Sequence, residues 1–201
     1  MRLFKYRAID DLWLSLDIIL NNRVWCSKWD SLNDPLEGYY DSSFGNVFNE
    51  QVDIRRNEWR ICAFSGSIDS FLLWSHYASG HKGIAIEIDI PDDNKDFTKV
   101  SYSPFSPIFT HISESMRDQR NLFEVKTQDW SYEEEYRIIC KDQFYELPNS
   151  VSKVYLGHKI PPDRARILRY VLPSHVQVIQ MRLDGFQGKV VPETTKDIYG
   201  Y

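Results

Sequence analysis

The sequence predicts a single α+β domain, and three observations carry that expectation. The 201 residues are 42% hydrophobic, enough for one domain with a sizeable core. Strand-like stretches are many and helical ones few, and they are mixed without the repeating strand–helix–strand order of a parallel sheet. No internal repeat and no Pro/Gly/Ser-rich linker divides residues 1–201. The aromatic share of 14% adds that the chain can bury enough surface to be compact rather than disordered.

RLFKYRA reads as the first strand. Asp10 or Asp11 then caps a helix to about Asn22, with Leu12, Leu16, Ile19 and Leu20 on one face. RVWCSKW predicts a strand, and Asn33, Asp34, Pro35 and Gly38 make SLNDPLEGYY a turn region. Residues 44–57 read as a weak, polar helix. WRICAFS is a strand that Ser65-Gly66-Ser67 ends. Asp69 or Ser70 caps the short helix SFLLWSHYAS, and Gly80 closes it. GIAIEIDI sets Ile84, Ile86, Ile88 and Ile90 against Ala85, Glu87 and Asp89, the alternation of a half-exposed strand.

After the PDDNKD turn, TKVSYS predicts a strand. Residues 107–124 predict a helix with Ile108, Ile112, Met116 and Leu122 inward, and Tyr136–Cys140 a strand. VSKVYLG, HVQVIQMRL and GKVVPE are further strands around the helix PDRARILRYVL, which Pro161 and Pro162 open.

Composition narrows the function classes. A net charge of -5 makes the chain a poor nonspecific binder of nucleic acid or of an anionic membrane. Cys26, Cys62 and Cys140 are widely spaced, form no CxxC and sit among apolar neighbours. They read as buried free thiols in a reducing compartment. Asp10, Asp11 and Asp17 interrupt any apolar signal-peptide core, and no apolar run is long enough to span a membrane. A cytoplasmic location is therefore expected. GxxxxGK[ST], GxGxxG, HExxH, GxSxG and paired His/Cys zinc spacings are all absent. This argues against P-loop, Rossmann, zincin and α/β-hydrolase chemistry.

Four constellations can carry chemistry. In WSYEEEYRIIC, an extended backbone over 133–137 points Glu133, Glu135 and Arg137 to one side and Glu134 to the other. Glu133 and Glu135 then stand about 6–7 Å apart. Facing a cleft, such a pair suits a reaction in which positive charge develops, such as glycosidic cleavage through an oxocarbenium-like state. A solvated strand end is the plainer alternative. In CAFSGS and LLWSHYASGHKG, Ser65 and Ser67 can hydrogen-bond a ligand at a strand end, where Gly66 permits close approach. His76 offers a donor and Tyr77 a stacking face; the alternative makes Trp74 and Tyr77 core and Ser67 a cap. Arg7 in KYRA can grip a phosphate or be a surface charge. Asp34 and Glu37 in NDPLEG have metal-ligand chemistry but also fit an ordinary turn.

The order LFKYRAI, NDPLEG, CAFSGS with LLWSHYASGHKGIAIEID, and WSYEEEYRII resembles the bacterial family called domain of unknown function 2971, over about residues 3–160. More distantly, Arg7, Ser65 and Glu133-x-Glu135 in that order resemble the arginine-type ADP-ribosyltransferase superfamily, with Ser65-Gly66-Ser67 lacking the central Thr of its triplet. This second resemblance implies two small packed β-sheets with flanking helices, and NAD as substrate in the cleft between them. Arg7 would hold the phosphates and Ser65 would brace the nicotinamide side, where Tyr77 would stack. Ser67 and His76 complete the implied NAD-binding set. Glu135 would stabilise the oxocarbenium state and Glu133 direct an acceptor, whether protein, nucleic acid or small molecule. A role as a toxin or phage-defence effector, with an antitoxin or other partner protein, is the expected setting.

Two other classes remain open at this point. A metal-dependent nuclease or phosphodiesterase would gather Asp34, Glu37, Glu87 and Glu135 on a divalent ion. A non-catalytic binding module would use the aromatic-rich surface and leave its acids solvated or salt-bridged.

Overall fold

A computed structural model describes residues 1–38, 50, 53–104 and 119–193. The architecture is mixed α+β, with open sheets and few helices. The first strands are β1 (Arg2–Arg7), β2 (Arg23–Trp25), β3 (Ser27–Lys28), β4 (Arg60–Ser65), β5 (Ile84–Asp89) and β6 (Phe97–Lys99). They are followed by β7 (Ser101–Ser103), β8 (Val125–Thr127), β9 (Glu135–Cys140), β10 (Phe144–Glu146), β11 (Lys153–Leu156), β12 (Gln177–Asp184) and β13 (Lys189–Pro192). The helices whose bounds lie among the described residues are α1 (Leu12–Asn21), α2 (Phe71–Tyr77) and α3 (Pro162–Val171). The described residues form two compact units. Met1–Val24, Phe64–Asp92 and the residues from Glu146 onward make the first; Trp25–Ala63 and Asp93–Tyr145 make the second.

In the first unit β5 lies between two antiparallel neighbours. Arg2 to Arg7 of β1 pair with Asp89 to Ile84, and Lys153 to Leu156 of β11 pair with Glu87 to Ile84. β12 continues parallel to β11, reached through α3, and β13 runs antiparallel to β12. This central place corrects the half-exposed reading of β5. Ala85 is fully buried and so is Glu87, leaving only Asp89 of the strand exposed. Glu87 is accommodated because Lys153 Nζ donates to one carboxylate oxygen at 2.7 Å and the Tyr155 hydroxyl to the other at 2.5 Å.

The helices α1 and α2 also belong to this unit. Ser70 is the N-cap of α2, its Oγ accepting from Leu73 N–H. Trp74 of α2 is fully buried, meets Tyr6 edge-on at 5.2 Å, and donates its indole N–H to Ile68 O. In α1 the buried stripe is Ser15, Ile18 and Ile19; Leu20 is 55% exposed, which shifts the expected apolar face by about one residue. No side chain caps the 3-10 turn Ile9–Asp11 that leads into α1. Gly157 is dictated by close approach, since a Cβ there would lie 2.2 Å from His81 O.

In the second unit β4 pairs with β3, placing Ser27 opposite Ile61, and on its other side neighbours β9. β6 follows, with Thr98 opposite Arg137. β7 and β8 form a separate parallel pair in which Tyr102 faces Lys126. Ile61, Phe123 and Ile139 make an apolar nucleus against which Trp29, Leu32 and Trp59 pack. The expected strand RVWCSKW breaks at Cys26, whose N–H donates to Gln143 O at 2.8 Å instead of continuing a ladder. Of the helix expected over 107–124, residues up to 118 lie outside the described ones, and Gln119–Phe123 is a 3-10 turn that buries Leu122 and Phe123. Of the weak helix expected over 44–57, residues 44–49, 51 and 52 lie outside the described ones, and 53–56 are helical as expected. Among the described residues no helix is long and apolar enough to cross a membrane.

Candidate functional site

The run of three acids resolves into a bend. Glu133 ends a 3-10 turn (Gln128–Glu133), Glu134 takes left-handed geometry at φ 43, and Glu135 begins β9. The extended reading of 133–137 is thereby corrected. The left-handed residue turns the chain, so that Glu134 is exposed while Glu133 and Glu135 are both buried. Neither of these two is a solvated strand end.

Burial is tolerated because cations are built in beside the acids. Lys126 of β8 reaches Glu133 and Glu135 at 2.7 Å each and lies 5.0 Å from the Trp130 ring centre. Arg137, only 1% exposed, stands alongside Glu135 as the strand alternation expected. Its Nε donates to Glu135 Oε1 at 2.6 Å and its Nη2 to Glu135 Oε2 at 3.1 Å. The same guanidinium grips Glu37 through Nη1 at 2.5 Å and Nη2 at 2.8 Å, and Nη1 also donates to Phe123 O at 2.7 Å. All five of its N–H donors are thus used. Tyr102 Oη accepts from Glu135 N–H at 2.8 Å. Three carboxylates meet two cations, so the cluster carries one excess negative charge when all five groups are ionised.

The electrostatics follow from this packing. Burial alone would raise the Glu135 pKa, but Arg137 and Lys126 outweigh it and hold the carboxyl below its ordinary value. Glu37 runs the other way: burial pushes its carboxyl up despite the grip of Arg137. Burial also lifts the Tyr102 hydroxyl to about 12. A depressed carboxyl contributes stability that is present above its unfolded value and lost as pH falls through its folded one. Urea unfolding is therefore expected to show a lower midpoint as pH drops below the ordinary value of 4.5 for Glu135. In Glu135→Gln this component of the acid sensitivity is expected to vanish. An unchanged pH profile in that variant would remove Glu135 from the linkage.

Neither the role of Lys126 nor the pairing of Glu37 with Arg137 has a signature in the sequence. Glu37 is a hundred residues from Arg137 in the chain, and a single lysine in a short strand carries no spacing signal. Asp34 supports Glu37 locally: its Oδ1 accepts from Leu36 N–H at 2.9 Å and its carbonyl from Glu37 N–H at 3.0 Å. Among the described residues no group of three or more His, Cys, Asp and Glu is placed to hold a metal. Of the carboxylates that a divalent site would need, Glu37 and Glu135 are bridged by Arg137, and Glu87 is taken by Lys153 and Tyr155.

Arg7, Ser65, Ser67, His76 and Tyr77 belong to the first unit, and Glu133 and Glu135 to the second. Arg7 ends β1 half-buried. Ser65 ends β4 across from Phe4, on the face that β1 also gives to Tyr6; strand alternation puts Arg7 on the opposite face, with Lys5. Ser65 Oγ accepts from Ser67 N–H at 3.0 Å, Ser67 Oγ donates to Asp69, and Tyr6 Oη donates to Ser67 O at 2.8 Å. Ser65 and Ser67 therefore hold the strand end in shape. His76 is exposed and Tyr77 half-buried, their rings in a T-shaped arrangement with centres 6.3 Å apart.

No curated protein and no solved structure matches the chain, so the ADP-ribosyltransferase resemblance rests on the residue pattern alone. A family model described as Protein of unknown function (DUF2971) matches residues 73–138, the stretch from α2 to β9 that includes His76, Tyr77, Lys126, Glu133, Glu135 and Arg137.

Proposed function

We propose that the chain is an ADP-ribosyltransferase-like protein that cleaves the nicotinamide–ribose bond of NAD and passes ADP-ribose to an acceptor. The observation that carries this reading is the buried Glu135 carboxylate, which Lys126 and Arg137 hold in place and below its ordinary pKa. As the bond to nicotinamide breaks, its electron pair leaves with the ring nitrogen and positive charge grows on the ribose. A pre-set anion lowers that barrier because it needs no reorganisation. In this reading Glu135 faces the ribose, and Glu133 takes the proton from the attacking acceptor group. Trp130 and Tyr132, half-buried with ring centres 6.2 Å apart, offer flat apolar faces beside the acids. Arg7, Ser65, Ser67, His76 and Tyr77 keep the NAD contacts that the resemblance implies, with Arg7 and Ser65 addressing different parts of the ligand. The acceptor class, a role in toxicity or phage defence, and an antitoxin partner belong to the same proposal.

NAD binds only the folded chain in this account. At a large excess over Kd it should raise the melting temperature by roughly 5 °C or more, read by dye-free differential scanning fluorimetry. A melting point indifferent to NAD selects the second reading, a non-catalytic binding module. That reading is favoured by the complete pairing of Arg137, which a purely structural ion network would also show.

A further inference from the structure

Ser75 of α2 and His81 in the loop behind it make a hydroxyl–imidazole pair in the first unit, apart from the acidic cluster. Ser75 Oγ lies 3.0 Å from His81 Nε2 and 2.9 Å from Phe71 O, to which its hydroxyl donates. Both acceptors are in reach of the one hydroxyl proton, so rotation about the Cβ–Oγ bond carries it from the carbonyl to the imidazole. The loop fixes the ring. Ser79, Gly80 and His81 take left-handed geometry in succession, at φ 47, 63 and 69, which is costly for the two that carry a Cβ. Backbone bonds hold this turn: His81 N–H donates to Trp74 O at 3.0 Å, and His81 O accepts from Lys159 N–H at 2.9 Å. His81 is 4% exposed, its ring centre 4.8 Å from that of Phe71. Burial first, then Lys159 and His158, hold its pKa below the ordinary 6.5, so the ring is an uncharged base at neutral pH. Ser75 itself is half-buried, and Phe71 and Leu72, one turn back on the same helix face, are 44% and 43% exposed.

We propose that Ser75 is a nucleophile, with His81 as its base, that takes acyl groups from small apolar activated esters. Ser75 Oγ attacks the ester carbonyl carbon while His81 Nε2 takes the hydroxyl proton. The bond from that carbon to the alkoxy oxygen breaks, and the imidazolium returns the proton to the leaving alcohol, giving acyl-Ser75 and neutral His81. Water then attacks the acyl carbon by the same proton route, and the carboxylic acid leaves. Ester plus water becomes acid plus alcohol, so no further reactant is needed. Phe71 and Leu72 give the acyl chain an apolar flank, which sets the substrate class. His81 Nδ1 is buried with no hydrogen-bond partner among the described residues, so no carboxylate backs the ring as in a full triad. An activated ester acylates readily through its good leaving group, whereas the plain serine ester hydrolyses slowly, and acyl-Ser75 accumulates. Neither Ser75 nor His81 belongs to the NAD-binding set, so this chemistry stands apart from the NAD reading.

The test incubates the folded full chain with p-nitrophenyl acetate, stops the reaction with acid and maps acetyl groups by mass spectrometry over time. Ser70 and Ser79, half-buried like Ser75, are the internal references. Ser75 should be acetylated at least about 100-fold faster than either, the low end of what general-base assistance supplies. His81→Asn, chosen because Asn tolerates left-handed backbone, should bring Ser75 down to the reference rate. Acetylation of Ser75 no faster than that of Ser70 and Ser79, or equal acetylation of Ser75 in wild type and folded His81→Asn, overturns the proposal. The comparison of the three serines within the wild type decides by itself, so a variant that fails to fold does not leave the question open.

Discussion

Arg137→Ala should destabilise the protein by about 3–5 kcal/mol, read as a shift in the urea midpoint of circular dichroism and tryptophan fluorescence. The substitution leaves Glu37 and Glu135 buried, at 5% and 3% exposure, with the bidentate partner of both removed. Lys126 still holds Glu135, but Glu37 loses the ion pair that the structure gives it and Phe123 O loses a donor. The magnitude comes from stranded charge more than from lost attraction, because an unpaired buried ion cannot recover its hydration. Set against a typical total of about 5–15 kcal/mol, a loss of this size brings the folded state near its threshold. Arg137→Lys keeps the charge but presents three donors in place of a five-donor planar fork, so it should recover only part of the loss. A loss under about 1 kcal/mol for Arg137→Ala would mean that the network is solvated in solution rather than sealed.

Secondary structure is legible in the sequence where a local rule decides it. Period-two alternation located β5 and β12, and Pro161-Pro162 located the start of α3. Ser70 was legible as a cap because a hydroxyl before an apolar run has few other uses. What alternation could not supply was which strand lies in the middle of a sheet. Glu87 in β5 looks like an outward residue in the sequence, yet it is buried because Lys153 and Tyr155 arrive from a strand more than sixty residues away.

The candidate site was legible in the same partial way. Three consecutive acids before an apolar strand marked the place, and Arg137 beside Glu135 followed from strand geometry. The left-handed residue at Glu134 was invisible, because a glutamate there breaks the preference for Gly or Asn. That one backbone choice sends Glu133 and Glu135 inward together and leaves Glu134 in water. Lys126 and Glu37 enter through tertiary contacts alone. The cysteines read as buried free thiols from their apolar neighbours; Cys26 and Cys62 are buried, whereas Cys140 is half-buried at the end of β9.

The largest effect on activity is expected from Glu135→Gln. The amide keeps the shape of the carboxylate but removes the fixed charge that the proposed reaction uses, so release of nicotinamide should fall at least about 100-fold. The change also removes part of the ion network, and stability alone could lower turnover. Glu37→Gln supplies the comparison, since it disturbs the same Arg137 guanidinium without touching the carboxylate assigned to the ribose. The decisive measurement is nicotinamide released from labelled NAD by the wild type, Glu135→Gln and Glu37→Gln, each at a temperature where circular dichroism shows it folded. Release is expected from the wild type and from Glu37→Gln, and none above background from Glu135→Gln. Equal release by folded Glu135→Gln, or no release by the wild type, contradicts the proposed reaction.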